Sequence, residues 1–307
     1  MGKSNCLVSV VVLTYGNYIG LTKTLETIMM QSCPIDMIIV SDDGSGIDFP
    51  SAVIDKKWGN IPIQWIHQKE NLGTVKHMNL IAQMTKGKYI KFMSSGDAFA
   101  DADALSSLVT FAEVRNSMIA TSDALVSSED LKHAFYRFPG EKRGKMLNMV
   151  SNDSFCTLAA SNIISATATL YRRDFFCKLG GIDESYRLLE DWPTWLRLAR
   201  QGFSIDYLNK TTVLYGLGGV SSKNINAYLA PALHKDMIQC YEKEIFPYVS
   251  RFPKAQQRII QYRYDGLLAQ SITDKMKRFI QYPLESSKDF IKYKIKKVMI
   301  GVSKWIK

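Results

Sequence analysis

Carboxylates stand at the ends of predicted elements in three parts of this sequence. Asp42 and Asp43 follow an apolar run and precede Gly44, while Asp97 follows a second apolar run. Asp191 comes directly before a predicted helix. A carboxylate in such a position can accept hydrogen bonds from a nucleotide base or ribose, bind Mg²⁺ or Mn²⁺ on a diphosphate, or take a proton as a general base.

The same positions also have purely structural interpretations. Asp-Gly pairs form turns in many proteins, and Asp97 can cap a helix that begins at Ala98. The segment Glu190-Asp191-Trp192-Pro193 can be an acidic first helical turn with Pro near its start. Burial beside Trp192 would instead raise the pKa of a carboxylate towards the range of a useful base. The residue types alone leave both interpretations open.

Lys76 is a candidate phosphate contact, with Asn71, Gly73 and Asn79 around it in the sequence. It falls in the first turn of a predicted helix, where the helix dipole disfavours a cation. A nearby phosphate would offset that cost, whereas the alternative is an ordinary solvated lysine.

Segments with the hydrophobic pattern of buried strands alternate with segments that have the pattern of helices, and these elements position the candidate residues. Polar clusters at 14–17, 41–46 and 94–97 follow predicted strands, and ligands of parallel sheets bind at the carboxyl ends of strands. From the apolar patterns we predict strands at 8–13, 37–40, 61–66 and 89–93 and helices at 21–30 and 74–84.

The rest of the chain is less regular. We expect a polar, loop-like segment over 127–155, helical structure throughout after residue 221, and a boundary near 220–225. Between these, the pattern predicts helices at 102–115, 172–179 and 192–201 and strands at 166–171, 204–208 and 212–215.

Composition and charge exclude several classes of protein. The 307 residues are 46% hydrophobic and 22% charged, as in a soluble globular protein, and no stretch is long and apolar enough to span a membrane. Five cysteines without a CxxC pair and four scattered histidines argue against disulfides and zinc. We therefore expect a mature cytosolic protein. Of the net charge of +10, residues 275–307 carry +8, so the basicity belongs to the C-terminal tail.

The motifs, taken in order, resemble those of the family-2 glycosyltransferases of the GT-A fold. Each motif is common alone, but the set follows the family's order over residues 6–220. The matching segments are Val8-Ser9-Val10-Val11-Val12-Leu13-Thr14-Tyr15, Leu25-Glu26-Thr27-Ile28 with Gln31-Ser32, Ile38-Ile39-Val40-Ser41-Asp42-Asp43-Gly44-Ser45, Asn71-Leu72-Gly73 with Asn79, Lys86-Gly87-Lys88-Tyr89-Ile90-Lys91-Phe92-Met93, Gly180-Gly181-Ile182-Asp183-Glu184 and Glu190-Asp191-Trp192.

The resemblance implies an α/β fold with a Rossmann-like, mostly parallel sheet flanked by helices and a C-terminal helical extension. Residues 1–222 would form the catalytic domain, with nucleotide-sugar binding in about 1–100 and the acceptor side in about 100–222. Residues 223–307 would form a helical region with a basic amphipathic tail.

The resemblance also implies roles for individual residues. Asp43 would accept from the base, most often uracil, Asp97 would bind Mn²⁺ or Mg²⁺, and Asp191 would deprotonate the acceptor hydroxyl for an inverting displacement. The remaining substrate-binding candidates are Leu13, Thr14, Tyr15, Asp42, Asn71, Gly73, Lys76, Asn79, Ser95, Gly96, Glu190 and Trp192.

Some residues depart from the family pattern. Leu13 replaces the usual Pro, and Gly16 stands where Asn is usual. Ser94-Ser95-Gly96-Asp97 replaces the common L-D-S-D-D, which leaves one carboxylate and puts metal dependence in doubt. The alternative function is therefore a non-catalytic nucleotide-sugar-binding pseudoenzyme that acts as an assembly partner. A nucleotidyltransferase is disfavoured, because the first strand is not followed by a Gly- and Arg-rich loop.

The tail predicts a membrane contact. An apolar stripe of Ile291, Ile295, Val298, Val302 and Trp305 has lysines at 292, 296, 297, 304 and 307 beside it. Such a helix can lie on an anionic membrane surface, or it can pack on the catalytic domain. The absence of a nucleic-acid-binding motif argues against a nucleic-acid partner.

With the resemblance, this tail suggests bacterial surface-polysaccharide synthesis at the inner face of the cell membrane. The enzyme would move a sugar from a nucleotide-diphosphate donor, a UDP-sugar in the first place, to a hydroxyl of a glycan or of a polyprenyl-diphosphate-linked acceptor.

Overall fold

The computed structural model describes residues 8–148, 154–217 and 230–302. Nine strands form one sheet in the order β3-β2-β1-β4-β8-β6-β9-β5, with β7 paired to β6. The strands are β1 (Val8–Thr14), β2 (Ile35–Asp42), β3 (Ile63–His67), β4 (Tyr89–Ser94), β5 (Ala98–Phe99), β6 (Ile119–Ser127), β7 (Ala134–Phe138), β8 (Thr169–Arg172) and β9 (Ile205–Gly216).

The N-terminal part of this sheet is parallel, and β8 joins it to a mixed second part. Strands β3, β2, β1 and β4 run parallel, while β8 pairs antiparallel with both β4 and β6. Strand β9 is parallel to β6 and antiparallel to β5, and β7 is antiparallel to β6. The α/β fold class that the sequence predicts is confirmed.

Helices cover both faces of the sheet and continue to residue 302. They are α1 (Leu21–Met29), α2 (Ser51–Ile54), α3 (Thr74–Met84), α4 (Ala104–Arg115), α5 (Glu141–Gly144), α6 (Ser154–Ala160), α7 (Asp174–Lys178), α8 (Trp192–Arg200), α9 (Pro231–Cys240), α10 (Lys254–Leu268), α11 (Ile272–Gln281) and α12 (Pro283–Val302). Short 3₁₀ segments occupy 145–148, 166–168 and 246–251, and a π-helical turn occupies 241–245.

Strand β1 supplies side chains to the core on both of its faces. Because successive strand residues point to opposite sides, Val10 and Val12 pack in the cluster that holds residues of α1 and α4. Val11 packs in the cluster that holds residues of α3 and α8. Complete burial of one such side chain contributes about 1.5–3 kcal/mol relative to its exposure. The all-apolar run 10–13 is therefore the signature of a strand buried on both faces.

The predicted loop over 127–155 is wrong, because part of it is regular structure. Strand β7, helix α5 and a 3₁₀ segment lie within it, and α6 begins at Ser154. Strand β7 has no fully buried residue, so it shows none of the hydrophobic alternation by which a strand is recognised. The predicted strands 204–208 and 212–215 are parts of one strand, β9, whose pairing with β6 shifts register at Ser122 to Ala124.

Helices α9 and α10 share the core of the sheet region. Leu233 of α9 and Ile260 of α10 are buried in the same cluster as β1 and α8 residues. Helix α11 has no buried residue, and it begins with a capping box in which Ser271 and Asp274 bond reciprocally. The predicted boundary at 220–225 lies outside the described residues. In the described ranges, no helix combines the length and apolar character needed to cross a membrane.

Candidate active site

The carboxyl ends of β1, β2 and β4 bring the predicted polar clusters to one edge of the sheet. Thr14 pairs with Asp42 across β1 and β2, and Leu13 pairs with Ser94 across β1 and β4. Beyond the strands, the Ser95 amide donates to the Leu13 carbonyl at 3.0 Å. The three loops that follow these strands therefore begin side by side, as the sequence predicts.

Asp42 holds two of these loops together. Its carboxylate accepts from the amides of Gly16 and Ser45, both at 2.8 Å, and from the Tyr18 hydroxyl at 3.1 Å. Burial alone would raise the pKa of Asp42, but these donors outweigh it and the pKa is lowered. Asp42 is completely buried, whereas Tyr15 is 59% exposed. The turn interpretation of Asp42 is thus confirmed, and Tyr15 is accessible to a ligand.

Asp43 ties the end of β2 to the start of α3. Its two oxygens accept from the amides of Leu72 and Gly73, each at 2.9 Å. Gly73 has a φ of 81°, and a Cβ there would lie 2.7 Å from Arg187, so only glycine fits this turn. Each carboxylate oxygen keeps a lone pair for a further donor, because it can accept two hydrogen bonds.

Arg187 is a site residue that the sequence analysis missed. Its guanidinium donates to the Asn71 side chain at 2.7 Å, and its carbonyl accepts from the Val75 amide at 3.2 Å. Asn79 makes a second connection, because its amide both donates to and accepts from the backbone of Ile182. These contacts attach the segment 181–191 to α3 and to the loop before it. Lys76, also on α3, is exposed.

Asp97 is buried at the end of the β4 loop. Its carboxylate accepts from the Thr167 hydroxyl at 2.6 Å and the Gly216 amide at 3.3 Å. Burial raises the pKa of Asp97 to about 6, although both donors and the positive charge of Lys91 lower it. A helix cap is the wrong interpretation of Asp97, because strand β5 follows it and the next helix begins at Ala104.

Lys91 is a second residue that the sequence analysis did not single out. It is completely buried on β4, and its ammonium donates to the carbonyls of Phe92 and Thr167. Burial lowers the pKa of Lys91 to about 7, and the charge of Asp97 opposes this. Thr167 thus links the two charged groups, since its carbonyl accepts from Lys91 and its hydroxyl donates to Asp97.

The donor set for a divalent cation is small. Within residues 8–148, 154–217 and 230–302, no group of three or more His, Cys, Asp or Glu side chains is arranged to hold a metal ion. This edge offers the carboxylate of Asp97 and the Ser95 hydroxyl, whose oxygen is buried without a partner. Because Mg²⁺ takes few protein carboxylates and keeps phosphate and water ligands, these residues fit a cation that arrives with a diphosphate.

Asp191 is the first residue before α8, and its carboxylate caps the Trp192 amide. The Asn162 side chain donates to the other carboxylate oxygen at 2.7 Å. Burial raises the pKa of Asp191, although both donors lower it. Burial and the like charge of Asp191 raise the pKa of neighbouring Glu190 as well. The acidic-turn interpretation is only partly right: Pro lies at the start of α8, but Asp191 is the residue that caps the helix and the first turn holds no acidic residue.

One short segment connects Asp191 to Asp97. Asn162 bonds to Asp191, and Thr167, five residues later, bonds to Asp97. Five extended residues span at most about 18 Å, which limits how far apart the two carboxylates can lie. Asp43 is connected through Gly73 to Arg187, four residues before Asp191. The convergence of the three carboxylates on one substrate pocket stays a prediction.

Asp236 on α9 fixes the segment that leads to Glu190. One of its oxygens accepts from three successive amides, those of Arg187, Leu188 and Leu189, at 2.9, 2.6 and 3.0 Å. Such a cluster of amides is an anion-binding concavity. The sequence gives no local signal for this contact, because Asp236 lies 47 residues or more from its partners.

Replacement of Asp191 by Asn tests the electrostatic coupling. The substitution removes a negative charge beside Glu190 at nearly constant shape, so we expect the pKa of Glu190 to fall. Asn162→Ala removes a donor to the Asp191 carboxylate and should raise the pKa of Asp191. A ¹³C NMR titration of labelled aspartate and glutamate carboxyls measures both shifts. An unchanged Glu190 titration in Asp191→Asn would contradict the coupling.

Comparisons with known proteins agree with this architecture. A family model described as Glycosyl transferase family 2 matches residues 9–180, more than half of the chain. No curated protein sequence matches the chain. Among solved structures, S. aureus TarS 1–349 in complex with UDP-GlcNAc is similar at a TM-score of 0.60 and 16% identity, over 92% of this chain and 74% of that one.

Two further structures extend the comparison. The mannosyltransferase PcManGT from Pyrobaculum calidifontis, in complex with GDP-Man and Mn²⁺, matches at a TM-score of 0.60 and 15% identity, over 96% of this chain and 86% of that one. A longer S. aureus TarS chain matches at 0.57 and 16%, over 87% of this chain, which spans only 44% of that chain's length. These similarities show a shared fold, and the family match over residues 9–180 shows that this chain belongs to glycosyl transferase family 2.

Proposed function

We propose that this glycosyltransferase moves a sugar from a nucleotide-diphosphate donor, a UDP-sugar in the first place, to an acceptor hydroxyl with inversion. The observation that carries the proposal is the half-buried carboxylate of Asp191, which has a raised pKa and is joined through residues 162–167 to Asp97 at the strand ends. Two structural neighbours with the same fold hold UDP-GlcNAc and GDP-Man.

On the donor side, we assign the nucleoside to Leu13, Thr14, Tyr15 and Asp43, whose positions at the ends of β1 and β2 support this role. We assign binding of the diphosphate to Lys76, Ser95, Gly96 and Asp97. A structural role is assigned to residues whose polar groups or backbone already contact other parts of the protein. They hold the loops in shape and are Asp42, Asn71, Gly73 and Asn79. Glu190 and Trp192 support Asp191.

The proposed reaction is a single displacement. Asp191 takes the proton of the acceptor hydroxyl as its oxygen forms a bond to the anomeric carbon on the face opposite the diphosphate. The bond between that carbon and the diphosphate oxygen breaks, and the nucleoside diphosphate leaves with the electron pair. The chain holds both substrates in line for this step.

A divalent cation, Mn²⁺ or Mg²⁺, would supply charge neutralisation at the leaving diphosphate. Asp97 and the Ser95 hydroxyl would hold it together with phosphate oxygens. Exposed Lys76 would add a second positive charge at the start of α3.

Asp191→Asn tests the proposed base. Asn still accepts a hydrogen bond at a helix start, so the fold and donor binding should persist, whereas transfer should fall by about 10²–10⁴-fold. Donor affinity and release of nucleoside diphosphate are measured in parallel over a panel of UDP- and GDP-sugars. Asp174→Asn on the surface of α7 is the matched control. Undiminished turnover in Asp191→Asn would refute the assignment.

A wild-type protein that binds nucleotide-sugars tightly yet neither hydrolyses nor transfers them would support the pseudoenzyme alternative.

Cation binding should depend on the donor. Because Asp97 is a lone carboxylate with both oxygens already bonded, we expect weak Mn²⁺ binding by the protein alone and strong binding once the nucleotide-sugar is present. Manganese EPR measures free Mn²⁺ with and without donor, and removal of the metal by EDTA should reduce donor affinity. Asp97→Asn should abolish the donor-dependent signal. Equal Mn²⁺ binding with and without donor would contradict this arrangement.

We propose that the acceptor is a glycan or a polyprenyl-diphosphate-linked sugar of bacterial surface-polysaccharide synthesis, met at the inner face of the cell membrane. An exposed apolar surface supports the membrane contact. Ile272, Met276, Phe279 and Ile280 of α11 are 53–78% exposed, and Lys275 lies among them. Leu284 and Ile291 of α12 are also exposed. Apart from Ile291, the predicted apolar stripe and its lysines lie outside the described side chains.

Membrane attachment is tested on this surface. Phe279→Ser with Ile280→Ser should reduce co-sedimentation with vesicles of phosphatidylglycerol and phosphatidylcholine, because apolar burial drives interfacial binding. Removal of residues 285–307 should reduce it further, and salt should weaken it. Donor affinity, which these changes should spare, is the control for folding. Unchanged sedimentation of both variants would exclude the membrane contact, and a change only in oligomeric state would indicate a surface for a second copy.

A further inference from the structure

A pocket beside Asp191 extends the candidate site into the C-terminal helices. It is an open depression of about 370 Å³ between the start of α8 and helices α9 and α10, a volume in the range of pockets for small ligands. Leu189, Trp192 and Met237 form apolar walls. The side chain of Asn162 lines this pocket and also donates to Asp191. A ligand held here therefore lies against Asn162, the residue that donates to the proposed base.

Arg263 gives the pocket its charge. This residue of α10 is half-buried, and among the described residues it makes neither an ion pair nor a hydrogen bond. Arg258, one turn earlier on the same helix, is paired with Glu285 at 2.8 Å, and Arg200 is paired with Glu244 at 2.9 Å. A guanidinium removed partly from water and left without a partner in a pocket is suited to an incoming anion.

Tyr241 stands near this guanidinium. Burial raises the pKa of Tyr241 to about 12, and the positive charge of Arg263 acts against that rise. The Tyr241 ring also packs edge-on against Trp192, with their centroids 5.2 Å apart. The pocket thus combines aromatic and aliphatic walls, which suit the apolar face of a sugar ring, with a cation and a phenol that can donate to an oxyanion.

Resting on the proposed function, we propose that this pocket binds the acceptor, and that Arg263 recognises a phosphate group which the acceptor carries next to the sugar that is glycosylated. The donor diphosphate is assigned to the ends of β1, β2 and β4, so Arg263 on α10 has a separate anion to bind. A phosphate offers several oxygens, which suit the fork of the guanidinium together with the Tyr241 hydroxyl. The acceptor is therefore a phosphorylated sugar and not a neutral one.

Binding of acceptor fragments tests this assignment without turnover. The probes are N-acetylglucosamine 1-phosphate and glucose 1-phosphate, each compared with its neutral methyl glycoside by calorimetry on the full chain. We expect the phosphorylated sugars to bind about 10- to 100-fold more tightly, as for a charge-assisted hydrogen-bonded contact. Arg263→Gln should remove that preference, and Arg263→Lys should keep part of it.

Controls separate the pocket from folding and from general charge. Arg258→Gln removes one positive charge from the same helix outside the pocket and should leave the preference intact. Met237→Trp narrows the pocket from another wall and should weaken both classes of sugar. Thermal unfolding of each variant checks the fold. Equal affinity of phosphorylated and neutral sugars in the wild type, or an equal loss of both in Arg263→Gln, would overturn the proposal.

Two further arms of the experiment test the source of the phosphate and the proposed function separately. A farnesyl-diphosphate-linked N-acetylglucosamine that binds more tightly than the free sugar phosphate supports the recognition of a lipid headgroup, and equal binding supports a soluble or polymer-borne phosphate. Nucleotide-sugar binding is measured on the same samples. Arg263-dependent binding of sugar phosphates by a protein that binds no nucleotide-sugar would support the pocket and refute the glycosyl-transfer proposal.

Discussion

The arrangement of the site depends on the need to solvate carboxylates that the fold removes from water. A buried charge is costly unless donors surround it, and each acidic group here receives donors from a distant part of the chain. Asp42 bonds to the β1 loop, Asp43 to the start of α3, and Asp97 to Thr167. The hydrogen bonds that stabilise these buried charges therefore also hold the loops in place.

These hydrogen bonds explain why the edge of the sheet tolerates three buried carboxylates, those of Asp42, Asp43 and Asp97, together with buried Lys91. Lys91 and Asp97 do not pair directly within 4 Å, but Thr167 bonds to both. Burial disfavours the charge on each group, and each favours the charge on the other. The family pattern has further acids at this loop, whereas this chain has Ser95 and Gly96.

The C-terminal helices take part in the site as well as covering the core. Asp236 of α9 gathers three amides just before Glu190, and α10 contributes Arg263 to the pocket next to Asp191. The family match ends at residue 180, so the segment around the proposed base and its C-terminal supports lies beyond it. The proposed acceptor pocket is therefore built largely from elements that follow the part of the chain matched by the family model.

Sequence alone determined strands β1 to β4 and helices α1 and α3, because their hydrophobic periods are strong and local; it missed the short elements α2 and β5. It also determined that the polar clusters meet, since the ends of adjacent parallel strands share an edge. It did not reveal strand β7, whose residues are not buried, or the roles of Arg187, Asp236 and Arg263. Those roles arise from contacts between residues far apart in the chain, which leave no local pattern. Only the tertiary structure decided which carboxylates hold loops together, that Asp191 has a raised pKa near a pocket, and that Arg263 in that pocket makes no ion pair or hydrogen bond with the described residues.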